Sequence, residues 1–407
     1  MRKVLAIMLI LQGMAILSFA QNENNSMKLK EGTWRAVLKI KEDIELPFNF
    51  QITKNAELII QNAEEKIVVK DIVYNGSNVS IYFPVFSTYV EAVIKDNNLE
   101  GYWINPEKKD YKIPFFAQHG QNERFAAAEK TALTDVNGKW EVTFSPGTEN
   151  AYKAIGLFKQ QSHKVTGTFL TETGDYRFLE GQMEEGSLKL SCFDAAHAFL
   201  FTANVKKDSI FNGIFYSGKH WNESWVAVRN DNFVLSDSDT LTYLTKGYEK
   251  LDFNFPDEKG KITSLSDADY KNKAIIVQIM GSWCPNCMDE SVYLSEVYNK
   301  YKSKGLEIIA IDYEIRNDFE VFKRNVARMK EDLGINYKIV FGGTSKKSEA
   351  AKTLPMLNHI MSYPTTIFID RKGKIKKIQT GFNGPGTGRI YEDYKNSTNK
   401  LIEKILK

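Results

Sequence analysis

Three cysteines in 407 residues exclude a scaffold stapled by disulfides, because small secreted domains that depend on them carry many more. Only five histidines are present, and none forms a close pair with another His or Cys, so a metal centre has little to be built from. Glycine and proline stand at ordinary levels, and 43% hydrophobic residues exclude a disordered chain. A net charge of +3, with lysines spread along the whole length and no aromatic-spaced basic stripe, argues against nucleic acid as a partner. After residue 20 no apolar run approaches the roughly 20 residues that cross a bilayer as a helix. The length itself suffices for two or three domains, each with its own core.

The start of the chain reads as a secretory signal. Arg2 and Lys3 provide the charge, residues 4–19 the apolar stretch, and Ser18-Phe19-Ala20 a small-x-small cleavage site. The chain turns polar at once with Gln21-Asn22-Glu23-Asn24-Asn25, and no Cys follows on which a lipid could be placed. The expectation is removal of residues 1–20 and a periplasmic or secreted protein without a membrane span.

Residues 27–230 carry the alternation of β-strands broken by turns such as Asn75-Gly76, Asp96-Asn97-Asn98 and Glu185-Gly186. Short strands at this spacing predict an all-β sandwich or barrel. The region also looks duplicated. Gly32-Thr33-Trp34 returns as Gly138-Lys139-Trp140, and the stretch from Asp96 to Tyr102 is echoed from Asp208 to Ile214. Two β units are expected, at residues 28–116 and 134–230, linked by residues 117–133. The Gly-x-Trp opening resembles lipocalin-type barrels. Trp34, Trp103, Trp140, Trp221 and Trp225 read as core or strand-face residues, and Cys192, in an alternating run, as a buried inert thiol.

A polar connector with a short helix at residues 233–250 precedes a different pattern. An opening hairpin turns around Glu258-Lys259-Gly260. A buried strand at residues 274–280, a helix at 288–302, a strand at 306–312 and a helix at 318–333 follow. Residues 337–341 read as another strand and 347–360 as another helix. Strands at 365–370 and 375–379 pair as a hairpin, and a helix at 388–406 ends the chain. This alternation predicts a mixed sheet with helices on both faces, over residues 248–407.

Within that pattern stands Trp283-Cys284-Pro285-Asn286-Cys287. Two thiols two residues apart, where a strand turns into a helix, can close into a disulfide. The helix start supplies unpaired N–H groups and the positive end of a dipole, which favour a thiolate at Cys284. Thiolate is the attacking form in disulfide exchange, and Cys287 is near enough to resolve a mixed disulfide. A CxxC can also be half of a zinc site, which needs about four ligands, or a static structural disulfide.

Residues 251–407 resemble the exported TlpA-like thioredoxin-fold oxidoreductases. The likeness rests on Trp283-Cys284-x-x-Cys287 after a buried strand, on Tyr363-Pro364-Thr365-Thr366 before another, and on Glu290 three residues after Cys287. The glycine-rich 381–388 segment before the last helix also matches. The resemblance implies a redox-active Cys284–Cys287 disulfide and a cis peptide at Pro364 facing it. It implies dithiol or disulfide proteins as partners, an upstream electron donor and no cofactor. Cys284, Cys287, Glu290 and Pro364 become the candidate catalytic set, with Trp283, Pro285, Asn286 and Tyr363 as binding residues. The acid that thioredoxins carry six residues before the first Cys is here Gln278. Gln cannot titrate, so a proton role falls to Glu290; the plain alternative is a solvated first-turn acid favourable to the helix dipole. Two other functions stand beside a disulfide reductant. A thiol peroxidase wants Thr or Ser where this chain has Gly281, and a non-enzymatic scaffold would place the function in the β region, whose own partner the sequence does not name.

Overall fold

The computed structural model describes residues 27–126 and 134–407. The signal expected at residues 1–20, and Ala127-Ala128 of the expected linker, lie outside the described residues.

Among the described residues two nine-stranded antiparallel sheets come first, their strands following in chain order except that in the second the two-residue strand Gly174–Asp175 pairs only with Lys164–Thr171, which pairs onward with Leu179–Glu184. In the first sheet the opening strand Gly32–Lys41 pairs with both its successor Ile44–Ile52 and the last strand, Lys112–His119. The two edges, Glu65–Val69 and Asp71–Asn75, are joined through Lys70, so one bent run closes the ring covalently where no ladder does. In the second, Gly138–Phe144 pairs with Tyr152–Gln161 and Trp221–Arg229. Further ladders, including Tyr152–Gln161 with Lys164–Thr171, complete a barrel. In the second barrel this ladder closure removes the long exposed edges that an open antiparallel sheet would present, whereas the first keeps its two short edge strands side by side in the chain.

Alternation fills both interiors. Lys112–His119 buries every second residue, as a strand with one face in a core does. In the second barrel Phe201 stacks on Phe215 at 4.3 Å and on Phe169 at 4.6 Å, with Phe158, Trp140 and Trp225 closing the layer. Each such pair adds about 0.5–1.5 kcal/mol beyond burial. The interiors are therefore packed cores. Trp34, Trp103, Trp140 and Trp225 are buried, whereas Trp221 lies on the surface, 57% exposed. Cys192 is buried, and burial raises its thiol pKa.

The duplication holds in three dimensions. Trp34 Nε1 donates to the Lys30 carbonyl and Trp140 Nε1 to that of Val136, both 2.9 Å and both four residues back. Gly32 and Gly138 take φ of +119° and +103°, a region glycine enters freely. The echoed Gly101 and Gly213 are equally constrained: a Cβ would lie 1.9 Å from the Glu91 carbonyl oxygen and 2.4 Å from that of Trp225.

The described start of the connection between the barrels is tied into both of them. The last strand of the first barrel runs to His119, and Arg124 is buried, donating to the Ser191 carbonyl at 3.1 Å and to the Gln61 carbonyl. The barrels also pack on each other. Asn62 donates to the Phe193 carbonyl at 2.9 Å, Ser191 Oγ donates to that of Pro47 at 2.6 Å, and Phe193 joins the first barrel's core.

The C-terminal unit is a five-stranded mixed sheet. Its spatial order is Lys338–Thr344, Leu306–Glu314, Ala274–Met280, Thr365–Ile369 and Ile375–Thr380, the first three parallel. Ala274–Met280 is buried at every position, as a central strand covered on both faces must be. Its helices are Pro285–Tyr301, Phe319–Leu333 capped by Asp318, Lys347–Thr353 and Arg389–Ile405. The helix expected over 347–360 stops at Thr353. Pro355 disfavours helical backbone at Leu354 and offers no N–H of its own. Part of the polar connector packs onto this unit: Thr380 Oγ1 donates to Thr242 Oγ1 at 2.8 Å and Thr245 N–H to the Met356 carbonyl at 2.9 Å.

Candidate functional site

Strand Ala274–Met280 ends in Gly281-Ser282-Trp283, and helix Pro285–Tyr301 begins two residues later. Cys284 is that helix's N-cap. Its Sγ accepts the Cys287 N–H at 3.2 Å, one of the donors a helix start leaves unpaired. Cys284 and Cys287 are joined in a disulfide with Cα atoms 5.2 Å apart. Cys284 keeps 6% of its surface and Cys287 none. Pro285 holds the first helical position, where its missing N–H costs nothing.

The Tyr363–Pro364 peptide is cis. The Tyr363 carbonyl oxygen lies 3.4 Å from Cys284 Sγ, and the Tyr363 ring meets Trp283 edge-on at 5.6 Å. Trp283 Nε1 donates to the Tyr313 carbonyl at 2.9 Å. This packing explains Gly281: a Cβ there would stand 2.3 Å from Trp283 Nε1. The Thr or Ser of a peroxidatic pattern has no room.

Glu290 is fully buried, so it is not the solvated first-turn acid that the sequence also allowed. Its carboxylate accepts from Thr366 Oγ1 at 2.8 Å, Gln278 Nε2 at 2.9 Å and Tyr394 OH at 3.2 Å. Burial pushes its pKa up to about 7, against the pull of those three donors. Gln278, at the position where thioredoxins place an acid, also reaches the Cys287 carbonyl at 3.4 Å. One amide thus stands between the carboxyl and the second cysteine.

Asn286 has a role that its position between the cysteines did not announce. Its Nδ2 donates to the Asp175 carbonyl at 3.0 Å, in the short strand Gly174–Asp175 of the second barrel, and to that of Phe382 at 3.4 Å. Nearby, the buried Arg177 guanidinium bridges Asp289 on the cysteine helix, Glu65 of the first barrel and Asp194 of the second, the last at 3.1 Å. Behind Trp283, Ser282 N–H donates to Asp312 at 2.9 Å and Ser282 Oγ to Glu314 at 2.8 Å, and Asn325 Nδ2 reaches Glu314 at 3.1 Å. Burial raises the pKa of both acids, and Glu314 raises that of Asp312 further. No motif marks these groups. Asp175 and Arg177 are more than a hundred residues from the cysteines, and only Asp312 and Glu314, ending a buried strand, carried a signal in their position.

A family model described as Redoxin matches residues 245–394. The thiol-disulfide oxidoreductase ResA of Geobacillus thermodenitrificans is 31% identical over 140 residues, 34% of this chain and 72% of that protein. ResA of Bacillus thuringiensis is 33% identical over 148 residues, 36% and 75% of the two chains. Among solved structures, a thioredoxin-family thiol:disulfide interchange protein from Chlorobium tepidum aligns over 40% of this chain and 99% of its own, at 21% identity and a TM-score of 0.31.

Proposed function

This chain belongs to the ResA-like thiol–disulfide oxidoreductase family, and we propose that it is an exported reductant of protein disulfides working through Cys284 and Cys287. The observation that carries this reading is the Cys284–Cys287 disulfide at a helix start, with the Cys287 N–H aimed at Cys284 Sγ. That N–H and the helix dipole stabilise negative charge on Cys284 in the reduced protein.

The cycle starts from the dithiol. Cys284 thiolate attacks one sulfur of the partner's disulfide, and the other leaves as a thiolate that takes up a proton. Cys287 gives up its proton and attacks Cys284 Sγ. The bond between Cys284 and the partner breaks, and the second partner sulfur leaves as a thiolate that takes up the proton Cys287 released. The partner departs as a dithiol carrying the two electrons that Cys284 and Cys287 lose in forming their disulfide. An upstream dithiol donor restores the starting state.

Pro364 and Tyr363 form the ledge beside Cys284, and Trp283 flanks it. Glu290, its pKa pushed up to about 7 by burial, sets the charge beside Cys287 through Gln278. Its ionised form opposes a thiolate at Cys287 and its neutral form permits one. Export is supported by Arg2-Lys3, the apolar residues 4–19 and the Ser18-Phe19-Ala20 site. Among the described residues no helix is long and apolar enough to cross a membrane.

Cys287→Ser tests the function. It leaves Cys284 to attack with nothing to resolve the product, so mixed disulfides on Cys284 accumulate on exposure to exported proteins and mass spectrometry identifies them. Absence of such adducts, together with no reduction of any disulfide by the wild type, overturns the reading.

A further inference from the structure

Residues 171–177 of the second barrel lie against the same surface of the C-terminal unit that carries the dithiol. Ser362 Oγ, two residues before Pro364, donates to the Thr173 carbonyl at 2.7 Å. Asn286, between the cysteines, donates to the Asp175 carbonyl at 3.0 Å, and Gly384 N–H donates to the Asp175 carboxylate at 2.6 Å. The contact is tight. A Cβ on Gly381 would stand 2.8 Å from the Thr173 carbonyl carbon, and one on Gly174 would stand 2.8 Å from Asn286 Nδ2. Arg177 anchors the end of the segment among carboxylates of both barrels and the cysteine helix. Buried ion pairs in three directions describe a fixed wall rather than a hinged lid.

Beside Trp283, and away from residues 171–177, lies a cleft of about 260 Å³, lined by Ser282 and Trp283 of the C-terminal unit and by Phe86, Glu107, His197 and Ser217 of the barrels. Cys284, next to Trp283, keeps 6% of its surface. At roughly 30 Å³ per water, it holds space for a short stretch of extended chain. A folded partner would need far more surface, since standard interfaces bury about 800 Å² on each side.

Building on the reductase reading, we propose that residues 171–177 are a specificity element. They close the Asn286–Ser362 side of the dithiol, so that the disulfides reaching Cys284 are small ones or those in extended, unfolded chain entering along Trp283. The second barrel would then select substrates by obstruction, a form of discrimination built on rejecting the wrong partner.

The test compares three oxidised probes with the reduced full-length enzyme: glutathione disulfide, an unstructured peptide holding one disulfide, and folded insulin. The wild type is expected to reduce the peptide at least about tenfold faster than insulin, after each rate is divided by that of free dithiothreitol. Removing residues 172–174, or lifting the segment with Gly174→Val, should raise the insulin rate about tenfold and change the peptide rate less than about twofold. Equal normalised rates for peptide and insulin in the wild type overturn the proposal without any variant. An unchanged insulin-to-peptide ratio in either folded variant overturns it too. If the wild type reduces none of the three probes, the reductase reading fails instead.

Discussion

Glu290→Gln separates a buried titrating carboxyl from a buried hydrogen-bonding one. Glu290 accepts from Thr366, Gln278 and Tyr394 in a site closed to solvent, and its pKa rises from 4.5 to about 7. Below about pH 4.5 the group is protonated in the folded and unfolded chain alike and adds no pH dependence. Between 4.5 and 7 the unfolded chain releases the proton while the folded chain keeps it, so stability falls as pH rises. At about 1.4 kcal/mol per pH unit, the loss totals roughly 3 kcal/mol once pH exceeds 7. Gln abolishes this slope. It also brings a cost of its own, because its amide group meets Gln278 Nε2 donor to donor. A buried mismatch of that kind costs about 1–3 kcal/mol at every pH. The variant is therefore expected to be less stable than wild type at pH 5 and to recover by roughly 3 kcal/mol relative to it by pH 8. Urea unfolding of both oxidised proteins at pH 5, 6, 7 and 8 measures the difference, with the cysteines held as a disulfide so that they do not titrate. A stability difference that stays flat across the four pH values refutes the reasoning. The same variant should flatten the pH profile of disulfide reduction near pH 7, and superimposable profiles would remove Glu290 from the chemistry.

In the reduced protein Cys284 should be alkylated by iodoacetamide before Cys287 at pH 6, because Cys287 is wholly buried and its N–H stabilises charge on Cys284. Peptide mapping of partly labelled protein decides the order, and label appearing first on Cys287 would reverse the assigned roles. Arg177→Met leaves Glu65, Asp194 and Asp289 without their shared cation, at a cost of about 3–5 kcal/mol. Denaturant unfolding would show it, and a loss under about 1 kcal/mol would mean the cluster is solvated and weak. A fragment of residues 235–407 should be more stable than one of 248–407, since only the longer keeps the Thr242–Thr380 and Thr245–Met356 bonds. Equal melting temperatures for the two would show that the connector adds nothing.

The chemistry was legible in the sequence because it is local. Trp283-Cys284-Pro285-Asn286-Cys287 follows seven apolar residues and opens a helix, and each of those facts is written in consecutive residues. Period-two alternation and the repeated Gly-x-Trp likewise foretold two β units, because strand faces and turns follow from neighbours along the chain. Helix 347–353 was overrun because periodicity continued past Pro355, whose steric effect ends a helix that pattern alone would extend.

What tertiary structure alone decided are the pairings between distant residues. The burial of Glu290 needs Thr366, Gln278 and Tyr394 to arrive from two strands and the last helix, and it is this burial that moves its pKa. Asn286 was a spacer until the short strand holding Asp175 was laid against it, and Arg177 was one basic residue among many until three units brought it carboxylates. A sequence states which groups can donate, accept or ionise. The strength of each depends on distance and on exclusion of water, which only the packed chain sets.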